Sequence, residues 1–201
     1  MTSELLFTGP ELCKFEAHEV VALLKAREIS SSDLIDAALT RIAQTGPLIN
    51  ATPTLCEARA RAVDLSSRDS TPAGWLAGLP ITIKDLNAVA DVRTTFGTKG
   101  LAGFIPQKSD PLVDQLEQRG AVILGKTNTP EFGAGGNTFN DVFGQTRNPW
   151  NTALNPGGSS GGAAASLAAG EIWLSHGSDH GGSLRTPAAY CGIVGLRPSP
   201  D

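Results

Sequence analysis

A chain of 201 residues that is 40% hydrophobic and 18% charged can bury a core, and it is read as globular, with one domain as the default. With Lys+Arg 16 against Asp+Glu 20 and a net charge of -4, it has no basic field for nucleic acid or an anionic membrane. Small molecules are the expected partners. The three cysteines, Cys13, Cys56 and Cys191, lie in no metal-ligand or redox spacing, so inert thiols in a reducing compartment are expected. The N-terminal stretch MTSELLFTGPELCKFEAHE has acidic residues where a leader would be basic and no long apolar run. Neither signal peptide nor membrane span is expected, and the reading is cytoplasmic.

In chain order, Val20, Val21, Leu23 and Leu24 recur at helical spacing between Ala17 and Glu28. The Ser-Ser-Ser-Asp cluster at 30 to 33 supplies an N-cap for a second helix with Leu34, Ile35, Ala38, Leu39 and Ile42 as its buried stripe. A third helical stretch is predicted from Thr54 to Ser67, which makes residues 1–70 mostly helical. From there the texture changes to short apolar runs bounded by Gly and Pro: LPITI at 79–83, AVIL at 121–124, IWL at 172–174 and GIVGL at 192–196, all read as buried strands. Helices are predicted at Pro111 to Arg119 and about Gly161 to Ala169. The fold class is therefore α/β, with N-terminal helices followed by a mixed sheet flanked by helices. No linker divides residues 1–201, of which 71–201 form the α/β part.

Two familiar motifs are present and both fail on context. GAVILGKT, Gly120 to Thr127, satisfies the phosphate-loop pattern, but Ala-Val-Ile-Leu is itself the expected strand, and Pro130 opposes a helix starting at the lysine. GSSGG, Gly158 to Gly162, satisfies the nucleophile-elbow pattern around Ser160, yet that mechanism needs an acid and then a histidine on separate later elements. The histidines that follow, His176 and His180, flank Asp179 too closely for that. Nor is GGSSGG read as a flexible linker, because Pro156 and an alanine-rich helix frame it.

The stretch from Gly157 to Ala188, GGSSGGAAASLAAGEIWLSHGSDHGGSLRTPA, resembles the signature block of the amidase signature family. GLPITIKD at 78–85 is similar to the segment that carries the family's catalytic lysine, and GAVILGKTNTPEF to its next strand and loop, so the likeness spans about Ala17 to Ser199. The resemblance implies a Ser-Ser-Lys triad in which Ser183 is the nucleophile, Ser159 the bridging serine after a cis peptide bond, and Lys84 the base. It also implies oxyanion and substrate contacts from the backbone of His180, Gly181, Gly182 and Ser183, with Ser160, Asp179 and Arg185 in support. The chemistry suits these residue types. A serine hydroxyl attacks an amide poorly until its proton is removed, and a lysine can remove it only when neutral, as desolvation at the end of an apolar strand would make it.

Implied with the family are a small carboxamide substrate, no cofactor and no metal; a homodimer is compatible with the sequence. His176, Asp179 and His180 could in principle bind a metal, but they lack a fourth ligand. His180 stands where the family usually has a small or apolar residue, and His176 and Trp173 are also atypical. Family members are usually more than twice as long, so an incomplete domain with exposed strand edges and apolar surface is expected. The leading function is hydrolysis of a carboxamide to carboxylate and ammonia or an amine. The alternatives are the ammonia-releasing subunit of a transfer-RNA amidotransferase and a catalytically dead remnant. TNTPEF at 127–132 speaks for the general amidases, since the amidotransferase subunits carry aspartate in place of Pro130.

Overall fold

The computed structural model describes residues 9–66, 70 and 72–199. Its elements run α1 (Ala17–Ala26), α2 (Ser31–Ile49), β1 (Thr54–Leu55), α3 (Glu57–Arg61), β2 (Pro80–Lys84), α4 (Pro111–Gln118), β3 (Val122–Thr127), β4 (Phe139–Asn140), β5 (Gly144–Gln145), α5 (Gly161–Ala168), β6 (Ser175–His176) and α6 (Arg185–Cys191). Helix α2 begins at a capping box: Ser30 accepts from the Asp33 N–H, and the Asp33 carboxylate accepts from the Ser30 N–H at 2.7 Å. The main sheet has the order β1-β3-β2-β6, with β2 parallel to both β3 and β6 and β1 antiparallel to β3.

Both faces of this sheet are covered, which is why its strands read as continuous apolar runs instead of alternating ones. Ile81, Ile83 and Ile123 pack with Val20, Leu34, Val89 and Val113 in one cluster. Val122 and Leu124 pack with Ile35, Ala38 and Ile172 in another. The alanine-rich α5 is almost wholly buried, and small side chains let its backbone come very close to the strand ends. A Cβ on Gly162 would lie 2.4 Å from the Asn128 nitrogen, so only glycine fits there.

Three sequence expectations are corrected. Instead of one helix from Thr54, the chain pairs Thr54 with Lys126 and Leu55 with Gly125 before the short α3; Ser67 lies outside the described residues. The open edge of β3 outweighs local helix propensity, and Gly125 permits the contact, since a Cβ there would stand 2.6 Å from the Thr54 carbonyl oxygen. IWL is not a strand; β6 starts one residue later, where it meets Thr82 and Ile83. GIVGL is not one either. Gly192, in the left-handed region, ends the unanticipated helix α6, and the segment continues with Val194 94% and Leu196 79% exposed.

Glu171, just past α5, is fully buried. Its Oε1 lies 2.6 Å from Thr45 Oγ1 and its Oε2 3.0 Å from Thr52 Oγ1, which ties the end of α5 to α2. Thr45 Oγ1 is also 2.9 Å from the Arg41 carbonyl oxygen, and its single proton can serve only one of these acceptors. A protonated Glu171 that donates to Thr45 resolves the conflict. Burial pushes the carboxyl up from 4.5 to about 7, against the opposing effect of the two threonines and Arg41. With the folded value above the unfolded one, the fold is most stable while the acid is protonated, and loses stability as pH rises from about 4.5 through about 7. Glu171→Gln is therefore expected to stabilise the protein at pH 8 by on the order of 3 kcal/mol and to change little at pH 4, as measured by denaturant unfolding at the two pH values.

Candidate active site

The site forms where the C-terminal end of β2, the N-terminal end of α5 and the loop after β6 meet. Lys84 is the last residue of β2 and has no exposed surface. Its Nζ lies 2.7 Å from Ser159 Oγ, 2.9 Å from Ser160 Oγ and 3.1 Å from Ser178 Oγ. Desolvation lowers its pKa from 10.5 to about 7, and the nearby Asp179 carboxylate only partly offsets this. The peptide bond between Gly158 and Ser159 is cis. A Cβ on Gly158 would lie 2.8 Å from both the Asn137 nitrogen and the Gly135 carbonyl oxygen, so the loop after β3 grips this turn and GGSSGG is held in a fixed conformation.

Ser160 links the two serine segments. Its hydroxyl donates to the Ser178 carbonyl at 3.1 Å and accepts from the Ser178 N–H at 3.2 Å, while its own N–H donates to the Ser183 carbonyl at 3.0 Å. Ser183 is half-buried and reaches the cluster through this backbone bond. Asp179 organises the loop that carries it. Its carboxylate accepts from the N–H groups of Gly182 at 2.7 Å, Leu184 at 3.1 Å and Arg185 at 3.3 Å, and from the Arg185 guanidinium at 3.0 and 3.1 Å. The Arg185 hydrogen bonds come first among the causes that hold Asp179 well below the usual carboxylate range.

The Gly182 N–H, expected to face substrate, is thus already donated to Asp179. His180 is exposed and contributes its position in the loop. His176, on β6, has a buried Nδ1 without a hydrogen-bond partner; burial first and the lysines next depress its pKa to about 4, so it is neutral. Ser178 was absent from the expected set, and nothing in its place before Asp179 flagged it; only the fold brings its hydroxyl to Lys84. Among the described residues no group of three His, Cys, Asp or Glu is placed to hold a metal. The three cysteines are free, and burial pushes each thiol up to about 11.

A second buried lysine sits on the other face of the sheet. Lys126 of β3 donates to Asp85 Oδ1 at 3.1 Å, to the Asn87 carbonyl at 2.8 Å and to Thr94 Oγ1 at 2.8 Å. Desolvation lowers its pKa, as it does that of Lys84, but here a carboxylate, Asp85, meets the amine and opposes the shift. The phosphate-loop match ends here too, since Lys126 and Thr127 are strand residues.

The site thus gathers a buried lysine and three serine hydroxyls beside the Gly158–Ser159 turn. The Amidase family model matches residues 33–201, and the chain belongs to that family. It is 45% identical over 193 residues to a glutamyl-tRNA(Gln) amidotransferase subunit from Carboxydothermus hydrogenoformans, covering 94% of this chain and 40% of that protein. Among solved structures it resembles 6-aminohexanoate cyclic dimer hydrolase, with a TM-score of 0.82, 33% identity and coverage of 90% and 37%. It also resembles a bacterial aryl acylamidase of the amidase signature enzymes, with a TM-score of 0.79, 36% identity and coverage of 87% and 37%. The chain thus spans about two fifths of the length of these relatives.

Since Asp179 holds the loop through charged hydrogen bonds worth about 1.5–3 kcal/mol each, Asp179→Ala is expected to speed amide exchange at Gly182 and Leu184 by about 10- to 100-fold. Hydrogen exchange followed by NMR checks this, with Lys126 and its neighbours as an internal control.

Proposed function

We propose that this chain carries the reactive centre of an amidase, with Ser183 as nucleophile, Ser159 as proton bridge and Lys84 as base. The observation that carries this reading is the amine of Lys84, removed from water and met by serine hydroxyls. On this reading Ser183 Oγ bonds to the amide carbon, its proton passes to Ser159 Oγ, and the proton of Ser159 passes to Lys84 Nζ. The tetrahedral adduct collapses as the lysine's proton returns through Ser159 to the leaving nitrogen, and water then releases the acyl group as a carboxylate. The N–H groups of Gly181 and Ser183 are the donors proposed to face the oxyanion, while Asp179 and Arg185 keep the loop in shape. His180 contributes its backbone. No step calls for a cofactor. No helix among the described residues is long and apolar enough to cross a membrane, and a cytoplasmic site of action fits the three free cysteines.

The amidotransferase reading is favoured by the 45% identical relative, whose name assigns it to such an assembly, and it would use the same triad on glutamine. TNTPEF at 127–132, with its Pro130, resembles the general amidases and supports the hydrolase. Release of ammonia from simple carboxamides and anilides, with and without glutamine and partner subunits, separates the two.

A serine-directed fluorophosphonate is expected to label Ser183, and peptide mapping that placed the label on Ser160 would refute the triad. Lys84→Ala and Ser183→Ala are each expected to lower hydrolysis by at least about 10²–10⁴-fold. Because Lys84 acts only when neutral, the rate should rise with pH through about 7 and level off above it, as read from the pH dependence of kcat/KM.

A further inference from the structure

We propose that Ser178 is a positioning residue for Lys84: its Oγ accepts one N–H of the amine, Ser160 accepts the other, and the lone pair is left facing Ser159. The proposal rests on the reading of Lys84 as the base and adds to it a residue outside the triad. It follows from counting protons. A neutral lysine amine has two N–H groups and one lone pair, and three hydroxyl oxygens surround it. The proton of Ser160 is already given to the Ser178 carbonyl, so toward Lys84 Ser160 can only accept. One N–H and the lone pair remain for Ser159 and Ser178.

The distances break the tie. Ser159 at 2.7 Å is at the short end, where a hydroxyl donates, and Ser178 at 3.1 Å has the length of an ordinary N–H···O bond. With Ser178 as acceptor, the lone pair points along the path by which a proton must arrive. Without it, the amine can turn and give its second N–H to Ser159, which blocks that path. Ser178 is itself fixed, since its N–H and carbonyl both bond to Ser160 Oγ and Asp179 follows it at the root of the braced loop.

The protonated amine would donate to all three hydroxyls, so loss of one acceptor harms the ammonium more than the neutral amine, because hydrogen bonds from charged donors are the stronger. The other groups around Lys84 are set apart from this effect. Asp179, in the loop after β6, is held ionised by Arg185. His176, on β6, is neutral, and Asp85, just after β2, is bonded to Lys126 of β3.

The test is an NMR titration of the 201-residue chain with ¹³C-labelled lysines, with the Lys84 signal assigned by its loss in Lys84→Arg. In Ser178→Ala the midpoint is expected to fall by about one pH unit, and in Ser178→Thr, which keeps the hydroxyl, to return to that of the unchanged chain. Ser178→Cys, whose sulfur is a weak acceptor, should behave as Ser178→Ala and serves if alanine disturbs folding. In hydrolysis, Ser178→Ala should lose about tenfold in kcat with KM little changed, and its acid limb should move to lower pH. A midpoint unmoved in Ser178→Ala and Ser178→Cys overturns the proposal and leaves Lys84 as base. Hydrolysis that survives in Lys84→Ala overturns the base itself and this proposal with it.

Discussion

The site depends on one uncompensated charge. An ammonium group taken out of water is costly unless a carboxylate meets it, and Lys84 is met by hydroxyls. The nearest acid in sequence, Asp85, cannot help, because successive residues on a strand point to opposite faces. Asp85 instead neutralises Lys126 of the neighbouring strand, which shares its face. Two buried lysines on adjacent parallel strands thus face different partners because of a two-residue period; desolvation lowers the pKa of both, and at Lys126 the Asp85 carboxylate opposes it. Lys126 joins the sheet to the Asn87 and Thr94 segment, and Lys84 is kept near neutrality and available for protons.

Such a lysine is useful only if the hydroxyls around it are fixed, and backbone contacts provide this. The turn that holds Ser159 is gripped by residues 135–137, and α5, capped by Ser160, packs Gly161 on Thr138 and Gly162 on the Asn128 backbone just after β3. At the far end of α5, Glu171 ties the helix to α2 through Thr45 and to the segment after α2 through Thr52. The Ser183 loop is fixed differently. It has little apolar burial, and a single carboxylate, Asp179, gathers three backbone N–H groups and a guanidinium about itself. The cluster therefore combines a rigid half with one organised by charge and hydrogen bonds.

How much of this was legible in the sequence follows from the range of the forces involved. Helices α1, α2, α4 and α5 were readable because an apolar period or a cap is local, and the strand end bearing Lys84 because a strand buried on both faces is an apolar run, whereas β3 runs on past the expected 121–124 to include Lys126. Lys84, Ser159, Ser183 and Asp179 were named from a resemblance, and the fold brings the first two into direct contact. The misses are non-local. Thr54 and Leu55 became a strand because β3 had a free edge, a fact held some seventy residues away. Ser178 has no signature of its own, since its significance comes from Ser160 and Lys84, each distant in the chain.

The failure of GIVGL to form a strand bears on what this part of the fold needs. A strand is stabilised by its neighbour's hydrogen bonds, and β6, only two residues long, pairs on one side with β2. Residues 193–196 therefore run on from α6 as an apolar segment with Val194 and Leu196 in solvent. Yet no group placed at Lys84 comes from that segment. The amine's partners lie in the turn that leads into α5 and in the loop after β6, and the Ser183 loop is braced by Asp179 and Arg185, all before residue 186. The elements that set the protonation of Lys84 and the shape of the serine loop are thus packed independently of this exposed apolar segment. The exposed apolar side chains of this segment, Val194 and Leu196, border the same hollow as residues of α5 and β6.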